Sequence, residues 1–169
     1  MNNMNYRYAA QNYNKEHMAR AVGRDIGISF KQSIEISNKI RGMPLARAKK
    51  LLTQVTEKKA AIPYRRFTDG VGHRPGHMGA GRYPLKASSE IIRLLESAEA
   101  NAQFKGLNTA DLVIRHICVH KGTTQWHYGR QRRRRMKRIN LEIMLAEEKQ
   151  PEKELKKEKK SDKKKGEKS

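Results

Sequence analysis

The chain has 169 residues, with 38 Lys and Arg against 17 Asp and Glu, so its formal net charge at pH 7 is +21. Residues 147–169 hold 10 Lys and 7 acidic residues and contribute only +3, which leaves +18 on residues 1–146 and indicates a polyanionic partner. The composition allows one modest core, the single cysteine excludes an internal disulfide or a multi-cysteine zinc site, and no apolar run approaches the ~18 residues of a membrane span. A soluble, intracellular protein is expected.

The first third of the chain predicts one short edge strand, at residues 6–11, and two helices. Ser29 and Gln32 have the spacing of a capping box at the start of helix one, and Gly42 ends it. Its predicted apolar face consists of Phe30, Ile34, Ser37 and Ile40. Pro44 occupies a favoured first helical position, so a second helix is predicted to run to about Lys59. Its predicted buried stripe consists of Leu45, Ala48, Leu52 and Val55.

Residues 60–83 contain five glycines and several basic side chains, which predicts a long basic loop. Loops of that length in a compact domain are usually functional or disordered, and glycines let the backbone approach a ligand closely. RNA is the natural candidate for that ligand. Pro84 then opens a third helix, predicted to be the longest, which Gly106 ends. Its apolar stripe consists of Ala87, Ile91, Leu94, Leu95, Ala98 and Ala102.

Two strand-like runs, residues 112–120 and 139–145, flank seven cationic side chains at residues 129–138. This order predicts a β-hairpin arm, about residues 119–140, with a basic tip. Strands continued through residues 121–138 would add roughly 25 to 35 Å to each leg, more than the core can cover. An isolated ribbon of this kind is expected to be mobile until a partner holds it. Residues 1–146 therefore form one predicted domain that includes the arm, and residues 147–169 form a low-complexity Lys/Glu tail.

Few residues suggest metal or catalytic chemistry. His116, Cys118 and His120 share a strand face but lack a complete ligand set, so no metal site and no cofactor are expected. No Ser, His and acid follow a recognisable catalytic motif, so catalysis is not expected either. Trp126 and Tyr128 stand beside the arginine run, where aromatic rings suit the stacking of unpaired bases. The alternative is that both rings cover a small satellite core at the base of the hairpin.

Several sequence blocks, in this order, resemble the universal large-subunit ribosomal protein twenty-two family, and its archaeal and eukaryotic branch most closely. That branch is called protein seventeen in eukaryotes. The blocks are Ile28-Ser-Phe-Lys-Gln-Ser, Lys39-Ile-Arg-Gly, Gly70-Val-Gly-His, Gly81-Arg-Tyr-Pro-Leu-Lys-Ala-Ser, Leu95-Glu-Ser-Ala-Glu-Ala-Asn-Ala and Ile114-Arg-His-Ile-Cys-Val-His-Lys-Gly. Relatives usually carry a Pro-Arg-Ala-x-Gly-Arg-Ala type segment near the hairpin tip, and residues 126–138 replace it here.

The resemblance implies an α+β fold, with three helices packed on a small three-stranded antiparallel sheet and a long protruding basic β-hairpin. It implies a structural, non-enzymatic protein of cytoplasmic ribosomes that binds large-subunit rRNA and supports its assembly. The body would lie near the polypeptide exit tunnel and the arm along the tunnel wall. The implied partners are this rRNA, neighbouring large-subunit proteins and, at the arm tip, the nascent polypeptide. No membrane contact and no homo-oligomer are expected.

On this resemblance the RNA contacts divide between the body and the arm. Those on the body are Arg7, Lys31, Gln32, Arg41, Arg65, Arg66, His73, Arg74 and Arg82. Those on the arm are Lys121, Trp126, His127, Tyr128, Arg130, Arg132, Arg133, Arg134, Arg135, Lys137 and Arg138.

Two other classes of function stay open from the residues. Residues 28–55 could form a helix-turn-helix of a DNA-binding regulator, although Pro44-Leu-Ala opens the second helix without a polar base-reading set. An RNA-processing enzyme using His73, His116 or His120 is the other.

Overall fold

Three helices pack against a three-stranded antiparallel sheet in the computed structural model, which describes residues 6–76 and 78–147. The elements in chain order are β1 (Met18–Ile26), α1 (Phe30–Ile40), α2 (Leu45–Thr56), β2 (Ile62–Pro63), β3 (His73–Arg74), β4 (Gly79–Arg82), α3 (Leu85–Phe104), β5 (Leu112–Lys121) and β6 (Ile139–Glu147). Short 3-10 turns occupy Thr109–Asp111 and Gly129–Gln131. The predicted α+β class is confirmed. In the described part of the chain, no helix has the length and apolar character needed to cross a membrane.

The helices α2 and α3 follow their predicted apolar stripes. In α1 only Ser37 and Ile40 of the predicted face are buried, and the fully buried Ile36 was not predicted. Every member of the stripes predicted for α2 and α3 is buried, and α3, with 20 residues, is the longest helix described. The α2 helix ends at Thr56, three residues before the predicted end. The predicted capping box of α1 is wrong, because the Ser29 side chain makes no capping hydrogen bond. Ser29 instead contributes its backbone carbonyl, which accepts from the Ser33 hydroxyl at 2.9 Å.

The strand β6 is the centre of the main sheet, whose strand order is β1-β6-β5. One face of β6 supplies Ile139, Leu141, Ile143 and Leu145 to the core. Glu142, on the opposite face, is also fully buried, and it accepts hydrogen bonds from the Ala9 backbone N–H. The segment before β1 therefore covers the outer face of the sheet.

The predicted strand at residues 6–11 is wrong. These residues are irregular, and the edge strand is β1, which pairs with β6 along most of its length. The inward residues of β1 are Ala19 and Ala21, and its outward ones include Arg20 and Arg24. Its fully buried positions therefore lack the β-branched residues by which a strand is usually recognised.

Residues 60–83 were predicted to form a long basic loop, but they are not wholly irregular. They fold into a second small antiparallel sheet with the order β2-β4-β3. Ile62 and Tyr64 anchor it to the core, and four of its five glycines lie in turns or in β4. Residues 1–5, residue 77 and residues 148–169 lie outside the described residues, and of the predicted tail only Glu147 is described.

The ladder between β5 and β6 ends at the pair Lys121 and Ile139. Beyond it, the two legs of the arm are joined by separate backbone hydrogen bonds, among them Gly122 N–H to the Arg138 carbonyl at 2.9 Å and Met136 N–H to the Gln125 carbonyl at 2.7 Å. The arm of this structure is thus an antiparallel loop closed by a 3-10 turn, without a continuous ladder.

Candidate nucleic-acid interface

A basic ridge, defined here as Phe30, Lys31, Arg66, Phe67 and Lys121, connects α1, the small sheet and the start of the arm. The Lys31 Nζ atom lies 5.4 Å from the centroid of the Phe67 ring, and the Arg66 Cζ atom lies 5.6 Å from the same centroid. The Lys121 Nζ atom lies 5.6 Å from the Phe30 ring. Because these cations rest on rings, their outer sides stay available to a polyanion.

Glu35 fixes the segment after β2, which supplies Arg66 and Phe67 to this ridge. Its carboxylate is 2% exposed and accepts three backbone N–H groups, from Arg65 at 3.2 Å, Arg66 at 2.8 Å and Phe67 at 2.8 Å. Charge-assisted bonds of this kind are strong and orient the segment that donates them. The side chains of Arg65 and Arg66 are left exposed at the surface.

A basic pocket opens between α1, α2 and the small sheet, with a volume of about 550 Å³. Its charged lining consists of Lys39, Lys59, Arg65 and Arg74, and its aromatic wall is Tyr83. The Arg74 Cζ atom lies 5.0 Å from the Tyr83 ring centroid. Cations combined with an aromatic wall suit the phosphate and the base of an unpaired nucleotide.

The remaining predicted body residues have varied environments. The Arg41 guanidinium donates to the Ile117 carbonyl at 2.9 Å, so part of it is engaged within the protein. Arg82 likewise donates to the Gly70 carbonyl at 2.8 Å. Arg7 and His73 are exposed, whereas Gln32 is half-buried on α1.

The aromatic residues of the arm are exposed, which contradicts the alternative of a satellite core. Trp126 is 56% and Tyr128 87% exposed. Trp126 forms a β-bridge with Arg135, whose Cζ atom lies 4.5 Å from the indole centroid. This pair closes the arm and leaves one side of the indole accessible.

The basic side chains of the arm differ in exposure. Arg138, at the base, is half-buried beside Gly122. A Cβ atom at Gly122 would lie 3.1 Å from the Arg138 backbone, so a side chain there would force a shift. The other predicted residues beyond Trp126 are exposed, namely His127, Arg130, Arg132, Arg133, Arg134 and Lys137.

Five residues of this interface were not predicted from the sequence. They are Phe30 and Phe67 in the ridge and Lys39, Lys59 and Tyr83 in the pocket. Phe67 and Tyr83 each lie next to a predicted arginine in the sequence, and that adjacency was the available signal. The contribution of Lys39 and Lys59 depends on the tertiary fold.

A separate polar cluster lies on the outer face of the main sheet, around the buried Glu142. The Nε2 atoms of His116 and His120 lie 3.0 Å and 3.5 Å from one Glu142 oxygen. Burial and the nearby Glu142 charge raise the pKa of Tyr6 to about 12. The same two causes raise the pKa of the Cys118 thiol. Glu142 joins the three residues that the sequence suggested as an incomplete ligand set.

The geometry of α2 does not fit the helix-turn-helix alternative. A recognition helix reads bases from its N-terminal residues. Here Leu45 at the start of α2 is 1% exposed, Pro44 forms a bridge with Val113, and the Met43 carbonyl accepts from Ile114 N–H at 3.0 Å. β5 therefore packs against the start of α2, so its first turn is not free on all sides to insert into a DNA groove.

The sequence profile described as Ribosomal protein L22p/L17e matches residues 21–144. A relative named large ribosomal subunit protein uL22 from Thermoplasma acidophilum is 48% identical over 134 residues, which cover 76% of this chain and 88% of that protein. The protein of the same name from Methanocaldococcus jannaschii is 42% identical over 141 residues, covering 79% of this chain and 90% of the relative. The chain therefore belongs to the L22p/L17e family of ribosomal proteins.

Proposed function

We propose that this protein is a structural component of the large ribosomal subunit and binds large-subunit rRNA through the basic ridge, the basic pocket and the arm. The observation that carries the proposal is the continuity of the ridge, in which Lys31, Arg66 and Lys121 join the small sheet to the base of the arm. A polyanion that follows this ridge meets the exposed arginines next. Proteins of this family are not enzymes, and binding with positioning is the whole activity.

The arm adds a second part to the proposal: it runs through rRNA and reaches the wall of the polypeptide exit tunnel, with the body near the tunnel exit. Its legs are joined by separate backbone hydrogen bonds and its side chains are largely exposed, so little in the protein itself fixes its path. Phosphates on both sides would neutralise its charge and supply the missing support. The nascent polypeptide would contact its tip.

In this role the protein works in cytoplasmic ribosomes as a single copy beside neighbouring large-subunit proteins, and it supports the folding of the rRNA around it. Sedimentation tests the proposal. Tagged full-length protein, expressed in its own cells, is expected in the large-subunit peak of a sucrose gradient after the subunits are separated. Protein that stays at the top of the gradient, while other large-subunit proteins sediment, would refute the assignment.

A further inference from the structure

The outer face of the main sheet carries a set of metal-binding side chains that RNA recognition does not use. Along β5, the residues that face away from the core are His116, Cys118 and His120, and Glu142 stands directly opposite Cys118 on β6. A bulge between Ile114 and His116 puts these residues on the outer face. Three of these side chains, those of His116, Cys118 and Glu142, offer ligand atoms that all lie within 4.8 Å of one another.

We propose that His116, Cys118, His120 and Glu142 form a binding site for one thiophilic divalent cation, of which Zn²⁺ is the best match. Two imidazoles, one thiolate and one carboxylate are four ligands of the types that zinc prefers. Mg²⁺ fits poorly because it requires oxygen ligands.

The distances are close to those that such an ion needs. Ligands about 2.1 Å from a tetrahedral ion lie about 3.4 Å from one another. The His116 and His120 Nε2 atoms are 3.0 Å and 3.5 Å from Glu142 Oε1. His116, Cys118 and Glu142 already offer ligand atoms within 4.8 Å of one another, and a rotation of the His120 side chain would bring its ring nitrogen to the same ion.

The charges also agree. A thiolate and a carboxylate with two neutral imidazoles carry a total charge of −2, which one divalent cation neutralises. Glu142 is fully buried, and the Ala9 N–H group and the His116 ring satisfy its carboxylate, so a bound ion would replace the imidazole contacts. On binding, the Cys118 thiol releases its proton to solvent as the sulfur–metal bond forms.

The surrounding contacts hold the carboxylate in place. The Ala9 N–H group donates to both Glu142 oxygens, at 3.0 Å and 3.2 Å. Outer hydrogen bonds of this kind orient metal-binding carboxylates. A bound ion would thus fasten the segment that crosses over the sheet.

The single cysteine makes the test sharp. Full-length protein treated with a chelator is titrated with Co²⁺, whose absorption reports thiolate coordination through a charge-transfer band that only Cys118 can produce. We expect one Co²⁺ per chain with that band, together with the visible bands of a tetrahedral ion, and we expect Zn²⁺ to displace it. Circular dichroism checks that each protein is folded.

Two variants and a matched control separate the site from chance binding to histidine. Cys118→Ser should remove the charge-transfer band, and His120→Asn should weaken Co²⁺ binding at least tenfold. His127→Asn, which changes an exposed histidine of the arm, should leave both unchanged. If the folded parent protein shows no charge-transfer band, Cys118 does not bind the ion, the cluster holds only an imidazole–carboxylate pair, and the proposal fails. It also fails if His127→Asn weakens binding as much as His120→Asn does. Neither failure affects the RNA-binding proposal.

Discussion

Replacing Arg132, Arg133 and Arg134 by Ala removes three exposed cations from the tip of the arm. Arg135 is retained in this variant because its guanidinium lies on the Trp126 ring and helps to close the arm. The change should therefore lower RNA affinity without opening the arm. The size of the loss should depend on salt, since each phosphate contact releases counterions when it forms.

The expected magnitude follows from three lost phosphate contacts. Each contributes about 0.7 to 0.9 to the slope of log K against log salt, so the slope should become shallower by about 2 to 3. A rise from 50 to 200 mM salt should then cost the parent roughly 20- to 40-fold more affinity than it costs the variant.

The assay is a titration of a large-subunit rRNA fragment at several salt concentrations, with parent, variant and a charge-matched control. The control replaces Arg47, Lys50 and Arg93, three exposed cations on α2 and α3 outside the ridge, pocket and arm, by Ala. We expect its slope to stay close to that of the parent. Equal slopes for parent and arm variant would mean that these arginines do not meet phosphate, and equal losses in variant and control would mean that only net charge matters.

Three further predictions concern single residues. Glu35→Ala leaves three backbone N–H groups without their acceptor and should lower the free energy of unfolding by roughly 3 to 5 kcal/mol. Chemical denaturation measures this change, and a loss below about 1 kcal/mol would contradict the anchoring role of Glu35. Trp126→Leu should weaken RNA binding by about 1 to 3 kcal/mol. Because Trp126 is the sole tryptophan, the fluorescence of the parent protein should change when RNA binds, and unchanged emission at saturation would argue against stacking. Tyr6, with a pKa of about 12, keeps its proton above the usual tyrosine range, so the stability it contributes is complete below about pH 10 and is lost as pH rises towards 12. An ultraviolet titration should show one late-ionising tyrosine fewer in Tyr6→Phe, and identical curves would refute the burial of Tyr6 against Glu142.

The sequence predicted the helices well because their signals are local. The stripe of α2 repeats with helical spacing, and Leu45, Ala48, Leu52 and Val55 are all buried. By contrast, β1 was missed, since its buried residues Ala19 and Ala21 have little strand propensity.

The small sheet could not be predicted, for a different reason. Its strands are two to four residues long and include Gly79, Gly81 and Pro63, so no periodicity marks them. The segment that follows β2 is held by Glu35, which lies about 30 residues earlier in the chain. That interaction exists only once α1 has packed.

The candidate site was also predicted only in part, where its signal is local. Its arginines were found from composition and from the resemblance, but the ridge depends on Phe30 and Phe67, which are distant in sequence and carry no charge. Glu142 was overlooked as a ligand although it interrupts an apolar strand, and a charged residue in such a place indicates a buried polar cluster.

The most direct test of the central claim is a photo-crosslink from the arm in assembled large subunits. A photoreactive amino acid replaces Arg133, an exposed residue of the arm, and the subunits are purified and irradiated. We predict crosslinks to large-subunit rRNA, with far fewer from the same probe at Arg93 on α3. Subunits that contain the probe at residue 133 but yield crosslinks only to protein, or none, would contradict the account.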